Sequence, residues 1–477
     1  MRKKTMRTLI WFREDLRCTD NIALYEAAKS ATKGMAAIFL VTPRFWQKHA
    51  MAPIRIQFML EGLNLLNQAL AKKNVALKII SVENSQNPAK TLYQYAQKIN
   101  ANQLFFNRQY EFDELKRDQI VTDYFQSRGI SVHSYDDQII FPATAIRTQT
   151  GEPFKVFTPF KRAWLKKAYE EGIPGNFPAP KKQAELIDAP SLLSNSSFYD
   201  LKHWPAGETY AIKRLRHFIE HKITSYHETR DFPALNGTSQ LSPYLSTGMI
   251  SSRQCFNATL QFNHGEFDSG NRGAIMWINE LIWREFYKII LIAFPQISKN
   301  KAFKPETDKI IWCQDGKLLR AWQQGLTGYP LVDAAMRQLN TTGWMHNRLR
   351  MVVAMFLTKT LFLDWRLGEK YFMQHLIDGD LAANNGGWQW SASTGVDSVP
   401  YFRIFNPLRQ SERFDPEGKF IRNFCPELAD LDNKTIHQPY QNQALFSKPI
   451  NYPYPIVNHA HAKARVVAVF KGNHKGK

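Results

Sequence analysis

The sequence predicts an α/β domain with a Rossmann-like parallel sheet, followed by a larger all-α domain. Three observations carry this. Short β-rich stretches alternate with helical ones through residue 140, and prolines then punctuate residues 141–205. From residue 206 onward the pattern is mostly helical, and nine of the twelve tryptophans lie beyond residue 200.

In order, Thr8–Phe12, Ala36–Val41, Val75–Val82, Gln103–Phe106 and Ser131–Tyr135 are short runs rich in strand-forming residues. Asn21–Ser30, Pro53–Lys72, Asn87–Ile99 and Phe112–Arg128 lie between them with helical patterning. Such alternation builds a parallel sheet covered on both faces, with ligand sites beyond the carboxyl ends of the strands. No G-x-G-x-x-G follows the first run, which argues against a standard dinucleotide site in this half. Pro142, Pro153, Pro159, Pro174, Pro178, Pro180 and Pro190 mark an extended linker, with a short helix near Phe160–Glu171. The expected domains are therefore 1–140, a linker 141–205, and 206–477.

Composition bounds the function. The net charge is +20, which favours a polyanionic partner such as nucleic acid over charge that merely aids solubility. No apolar run approaches the roughly 20 residues of a membrane span, so no membrane partner is expected. Leu9–Phe12 is too short for a secretory signal, and a cytoplasmic protein is expected. Cys18, Cys255, Cys313 and Cys425 are scattered, with neither metal-site nor disulfide spacing; we expect no metal and a reducing compartment. A monomer is expected. Lys463–Lys477 has five basic residues and no acid, and reads as a solvated tail.

Three constellations carry chemistry. Thr238, Ser239 and Ser242, within Gly237–Pro243, put three hydroxyls inside one helical turn; they suit phosphate at a helix start, although N-capping explains the same residues. In Met276–Tyr287, Trp277, Glu280 and Arg284 share a helical face with Trp283 beside them. Glu280 and Arg284 could form a surface pair, yet an acid framed by two tryptophans also suits a pocket that stacks flat heterocycles. The third spans Gly343–Met351 and Asp378–Trp390. Asn347, Arg350 and Met351 fall on one face, and Asn384-Asn385-Gly386-Gly387 is poor helix material that suggests close backbone approach.

At these residues the chain resembles the photolyase/cryptochrome family. W-F-R-E-D-L-R at Trp11–Arg17 opens the likeness, followed by K-V-F-T-P-F at Lys155–Phe160, R-D-F-P-A at Arg230–Ala234 and W-R-E-F-Y at Trp283–Tyr287. T-G-Y-P-L-V-D-A-A-M-R-Q-L at Thr327–Leu339, the third constellation and Y-F-R-I-F-N-P at Tyr401–Pro407 extend it over nearly the whole chain. Within the family it is most similar to class I bacterial members that act on cyclobutane pyrimidine dimers. W-M-H-N-R-L-R-M carries that distinction, because six-four members and animal cryptochromes resemble W-I-H-H there, with histidine where this chain has Asn347.

The resemblance implies reduced, anionic FAD in the helical domain. Tyr226, Thr238, Ser239 and Ser242 would hold its phosphates and ribityl side; Trp277, Arg350, Asp378, Asp380 and Asn384 would surround the rings, with Arg284 also in the FAD set. Asn384 would face flavin N5, where plant cryptochromes carry aspartate. Gln240 departs from the arginine the family often has, which implies a weaker FAD site. Trp388, Trp365 and Trp312 match the electron-relay tryptophans, although core packing also explains buried indoles.

The resemblance also implies a DNA partner containing cyclobutane pyrimidine dimers. Base flipping by photolyases is a known case of taking a base out of the stack. Trp283 and Trp390 would wedge the dimer, Asn347 and Met351 would line its pocket, and Arg348 would grip phosphate. Glu280 would donate to or accept from the dimer's carbonyl face. His49, Asp113, Glu114 and Lys299 match contacts to a 5,10-methenyltetrahydrofolate antenna, with Asp113 replacing the usual asparagine; a deazaflavin or no antenna are the alternatives. The competing functions are a cryptochrome-type blue-light receptor without repair activity and a non-catalytic nucleic-acid binder. Asn384, Asn347 and the lack of a long C-terminal extension argue against the receptor.

Overall fold

The computed structural model describes residues 6–82, 87–191, 198–440 and 450–474. Five parallel strands, β1 (Thr8–Phe12), β2 (Met35–Val41), β3 (Ala76–Ser81), β4 (Gln103–Asn107) and β5 (Ser131–Tyr135), form one sheet in the order β3-β2-β1-β4-β5. Thr8 pairs with Met35 on one side and with Gln103 on the other, so β1 is central, and it is buried throughout. Both neighbours of β1 pack apolar runs, as a strand covered on two faces requires.

Helices α1 (Ile22–Ser30), α2 (Pro43–Lys48), α3 (Pro53–Ala71), α4 (Pro88–Lys98) and α5 (Phe112–Gln126) connect or follow the strands. Asn21 caps α1 by accepting from Leu24 N, and Asn87 caps α4 by accepting from Ala89 N. The linker helix is α6 (Phe157–Glu171), one turn longer than expected at its start. Pro159 sits in its first turn, where a missing N–H costs nothing. α2 was not foreseen; six residues are too few for a periodic signal.

The remaining helices are α7 (Glu208–His221), α8 (Tyr226–Thr229), α9 (Ser242–Ser246), α10 (Ser252–Phe262), α11 (Arg272–Ala293), α12 (Gly316–Gln324), α13 (Pro330–Thr342), α14 (Asn347–Met355), α15 (Trp365–His375), α16 (Leu381–Ala392), α17 (Pro407–Phe414), α18 (Lys419–Phe424) and α19 (His459–His474). A π-helical turn, Phe356–Thr360, follows α14.

Chain contacts divide the molecule into two compact units. The first holds residues 1–224 and 239–298, the second 225–238 and 299–477. The first unit takes α9 to α11 because polar groups weld them to the sheet. Arg253 of α10 pairs with Asp20 at 3.1 Å and with Asp137 at 2.7 Å, all with side chains at most 2% exposed. Glu285 of α11 accepts from Ile140 N at 2.9 Å, Phe141 N at 3.3 Å and Trp164 Nε1 at 3.0 Å. The W-F-R-E-D-L-R motif belongs to the same network. Asp15 accepts from Arg13 N and from Asn107 Nδ2, and Arg13 reaches Asp118 at 3.2 Å. The crevice beyond β1 and β4 is thus partly filled by the chain's own polar groups.

The core of the second unit gathers Trp322, Leu339, Leu349, Phe356, Trp365 and Trp388. Two local expectations are corrected there. Asn384–Gly387 is helical within α16, with Asp380 accepting from Ala383 N at its start and Ser393 left-handed (φ 68°) at its end. A Cβ on Gly387 would meet nothing within 4 Å, so close packing of protein does not explain that glycine. The basic C-terminal stretch is helical through His474, with Ala462, Val466 and Phe470 buried at four-residue spacing; residues 475–477 lie outside the described residues. Among the described residues no helix is long and apolar enough to cross a membrane.

Candidate functional site

The second unit holds an Arg350–Asp378 ion pair and, on α16, a buried Asn384. His346 caps α14 through its Nδ1, which accepts from Arg348 N at 3.2 Å. That start places Asn347, Arg350 and Met351 on one face of α14, as their spacing predicts. Arg350 Nε donates to Met345 O at 2.8 Å, and its Nη2 reaches Asp378 Oδ2 at 2.7 Å. The Asp378 side chain is 1% exposed and that of Arg350 26%, so the cation keeps a buried carboxylate from standing alone. Asp378 Oδ1 is buried without a hydrogen-bond partner. A buried acceptor left open in this way fits a ligand N–H or O–H.

Asn384 lies on α16, and its Nδ2 donates to Glu369 O at 3.0 Å. This turns the side-chain carbonyl away as an acceptor. Behind it, Asn385 Nδ2 donates to Glu369 Oε1 at 2.9 Å, and Gln389 Nε2 donates to Asn385 Oδ1 at 2.8 Å. Burial pushes the Glu369 carboxyl up to about 7, opposed by the Asn385 hydrogen bond. The sequence reading missed this network. Its signal was present as Asn385 and Gln389 at i,i+4 on a helix, pointing to a shared polar partner. His346 was also missed; burial lowers it to about 4, which leaves a neutral imidazole.

Trp388, Trp365 and Trp312 are 2%, 0% and 9% exposed and belong to one core cluster. Gly368 on α15 makes room for Trp388: a Cβ there would lie 2.1 Å from the indole Cη2. Phe372 meets Trp388 edge-on at 5.0 Å, and Trp322 does so at 6.0 Å. Cys313 N donates to Phe362 O at 2.9 Å, which ties the segment bearing Trp312 to the one that leads into Trp365. Trp390, two residues beyond Trp388, is half-buried. Asn347 is exposed. Arg348 pairs with Asp231 at 2.9 Å and lies 4.4 Å over Phe414. Tyr226 is buried beneath the Arg230 guanidinium at 5.5 Å.

In the first unit, α11 carries Trp277, buried against Phe218 at 4.9 Å, and half-buried Glu280. Trp283 stacks on Phe157 with centroids 3.6 Å apart and planes within 9°. Arg284 donates to Gln138 O at 2.7 Å and to Ser252 Oγ at 3.0 Å, which commits it to the packing of α10 and the segment that follows β5. The expected helix start at residue 238 is displaced. The helix begins at Ser242 and has five residues; Gln240, ahead of it, has φ 52°. Left-handed backbone interrupts the turn, so the hydroxyls do not share one helical turn.

His49, Asp113 and Glu114 lie together at the carboxyl side of the sheet. Asp113 pairs with Lys48 at 2.5 Å and stands 3.2 Å from His49 Nε2. The Lys48 hydrogen bond lowers the Asp113 carboxyl, while burial lowers His49, so the pair is a carboxylate beside a neutral imidazole. Glu114 is pushed up to about 8, by burial first and by Glu111 second, and its Oε2 has no partner. Lys299 falls in the second unit.

Residues 8–181 match the family model described as DNA photolyase, and residues 277–472 match the model for the FAD binding domain of DNA photolyase. The chain is 44% identical over 473 residues to the deoxyribodipyrimidine photo-lyase of Escherichia coli K12, covering 98% of this chain and 99% of that protein. Among solved structures, a class III photolyase from Agrobacterium tumefaciens matches with TM-score 0.86 at 32% identity, covering 100% of this chain and 99% of that one. An archaeal photolyase from Sulfolobus tokodaii matches with TM-score 0.81 at 29% identity, covering 98% and 100%; it was described with two FAD molecules and the implication of a novel light-harvesting cofactor.

Proposed function

The chain belongs to the DNA photolyase family, and we propose that it is a light-dependent repair enzyme that splits cyclobutane pyrimidine dimers in DNA. The full-length likeness to a deoxyribodipyrimidine photo-lyase carries this reading. When bound in its reduced, anionic form, FAD would supply light-driven one-electron chemistry, in which an electron lent to the dimer weakens the ring's carbon–carbon bonds and is returned once the ring has split.

The chain's own residues orient and tune that cofactor. The open oxygen of Asp378 supports an acceptor role toward a ring N–H, and Arg350 supplies positive charge that favours an anionic ring. Asn384, with its amide nitrogen committed to Glu369 O, offers a carbonyl acceptor to a reduced flavin's N5–H without adding charge. Trp277 gives a flat apolar surface, and Asp380 closes the start of the helix that bears Asn384. Ser239 and Ser242 offer hydroxyl donors to phosphate. Trp388, Trp365 and Trp312 would carry electrons inward to reduce oxidised flavin.

Glu280, Trp283, Asn347, Met351 and Trp390 are the proposed dimer contacts. Trp283 is held flat by Phe157, as a stacking surface should be. Net charge of +20 supports binding to the phosphate backbone. For the antenna we propose 5,10-methenyltetrahydrofolate, supported by the buried Glu114 Oε2, which has no hydrogen-bond partner. Asp113, an acceptor already engaged by Lys48, replaces an amide donor in that set. Reconstitution with folate and with a deazaflavin, read by absorbance, distinguishes the two.

The decisive experiment illuminates a dimer-containing oligonucleotide with the reduced holoenzyme. Recovery of thymine absorbance is expected. Dimers that survive saturating light, with flavin bound and reduced, would overturn the proposal.

A further inference from the structure

We propose that Arg214, on α7, supplies the positive charge for the pyrophosphate of FAD, with Gln240 as the amide that holds it in place. The inference rests on the FAD reading above and names a residue of that site that the motifs do not point to.

Position 240 is where the chain lacks a cation, and the structure returns one from another helix. Arg214 Nη1 donates to Gln240 Oε1 at 2.7 Å. Arg214 Nη2 donates to His203 O at 3.1 Å. The guanidinium also lies 5.3 Å from the ring of Trp204 and 5.6 Å from that of Tyr244. Two hydrogen bonds and two aromatic rings thus orient a side chain that is otherwise rich in rotamers. The accepting amide is itself fixed, because Gln240 sits in the left-handed turn ahead of α9.

What this cation lacks is an anion. Arg337, Arg348, Arg350 and Arg366 each have a carboxylate within 3 Å. Among the described residues no carboxylate forms an ion pair with Arg214. Its surroundings are cationic instead: burial lowers Lys222 and His217, and the Arg214 charge adds to the lowering of both. A half-buried guanidinium without a counter-ion, in a positive field, is poised for an anionic ligand. With Oε1 engaged, Gln240 Nε2 still has hydrogens to donate. Beside it in sequence stand the hydroxyls of Ser239 and Ser242, the second exposed. A fork of N–H donors with hydroxyls and an amide is phosphate chemistry, and the family's dinucleotide supplies the phosphates.

The test uses the full-length holoenzyme, with free FAD detected by its fluorescence after dilution. Arg214→Ala is expected to raise the FAD dissociation constant by about tenfold or more, with the gap narrowing at high salt. Adding Gln240→Arg to the same chain should restore retention to within about threefold of wild type, because it places a guanidinium at the same turn. Arg214→Lys, which keeps charge without the fork, should fall between. Circular dichroism and thermal melting check that each variant folds; if Arg214→Ala does not, Arg214→Lys with and without Gln240→Arg carries the comparison. Wild-type retention by Arg214→Ala, or a loss that Gln240→Arg does not repair in folded protein, overturns the inference. Wild-type enzyme that holds no FAD at all would instead remove the reading on which it rests.

Discussion

Arg350 Nη2 donates to Asp378 Oδ2 at 2.7 Å, while the other oxygen of Asp378 is buried without a partner. Half of the carboxylate is therefore spent on holding the cation, and half is left for a ligand. Asp378→Asn removes the charge pairing and puts a donor among the positions available to that open atom. It should weaken FAD retention by about tenfold and lower stability by about 1–3 kcal/mol, read by dilution fluorescence and urea unfolding. Unchanged retention would deny Asp378 a role at the cofactor.

Trp388→Phe should abolish light-driven reduction of oxidised flavin and leave repair by chemically reduced enzyme intact. Gly368→Ala, which drives a methyl into the indole, should impair photoreduction too, with destabilisation of about 1–3 kcal/mol from overpacking. If Trp388→Phe photoreduces at the wild-type rate, Trp388 is packing alone.

Glu280→Gln tests proton donation. A carboxyl that donates a proton to the dimer should lose quantum yield when made an amide, whereas one that only donates or accepts a hydrogen bond should not. Full retention of yield restricts Glu280 to hydrogen bonding.

Arg348 is paired with Asp231 in the free protein. If it leaves that partner for a DNA phosphate, Arg348→Ala should reduce the slope of log affinity against log salt by about 0.9. An unchanged slope assigns Arg348 to the ion pair and to its contact with Phe414.

Glu369 gives a pH prediction with a definite sign. Burial raises its carboxyl to about 7 in the folded chain, above the ordinary value of about 4.3. Between those values the folded state holds a proton that the unfolded state has lost, so stability declines as pH rises through this window. Glu369→Gln should flatten that decline and stabilise the protein at pH 8 by an amount on the order of 3 kcal/mol. Parallel wild-type and variant curves from pH 5 to 8 would show that Glu369 ionises normally.

The site was legible in part. Trp277, Glu280 and Trp283 could be placed on one helix, and Asn347, Arg350 and Met351 on one face, because 3.6-residue spacing is local. Asp378 and Asn384 were picked out through motif likeness, but the orphaned oxygen of one and the committed amide of the other were invisible. Each depends on a partner from a distant part of the chain, Arg350 and Glu369. Glycine gave a misleading signal at Gly387, which sits inside a helix whose ends are held by Asp380 and a left-handed Ser393. It gave none at Gly368, whose necessity comes from an indole twenty residues away.

The sequence by itself determined the strand–helix alternation, the helical second half, the preference for a polyanionic partner and the family, because these rest on local periodicity, net charge and ordered motifs. Tertiary structure alone decided that α9 to α11 join the sheet unit, since Arg253 and Glu285 bury their charges against residues of the first 164. It alone also brought Arg214 to Gln240. A buried charge must find its partner in space, and no spacing along the chain records where that partner will be.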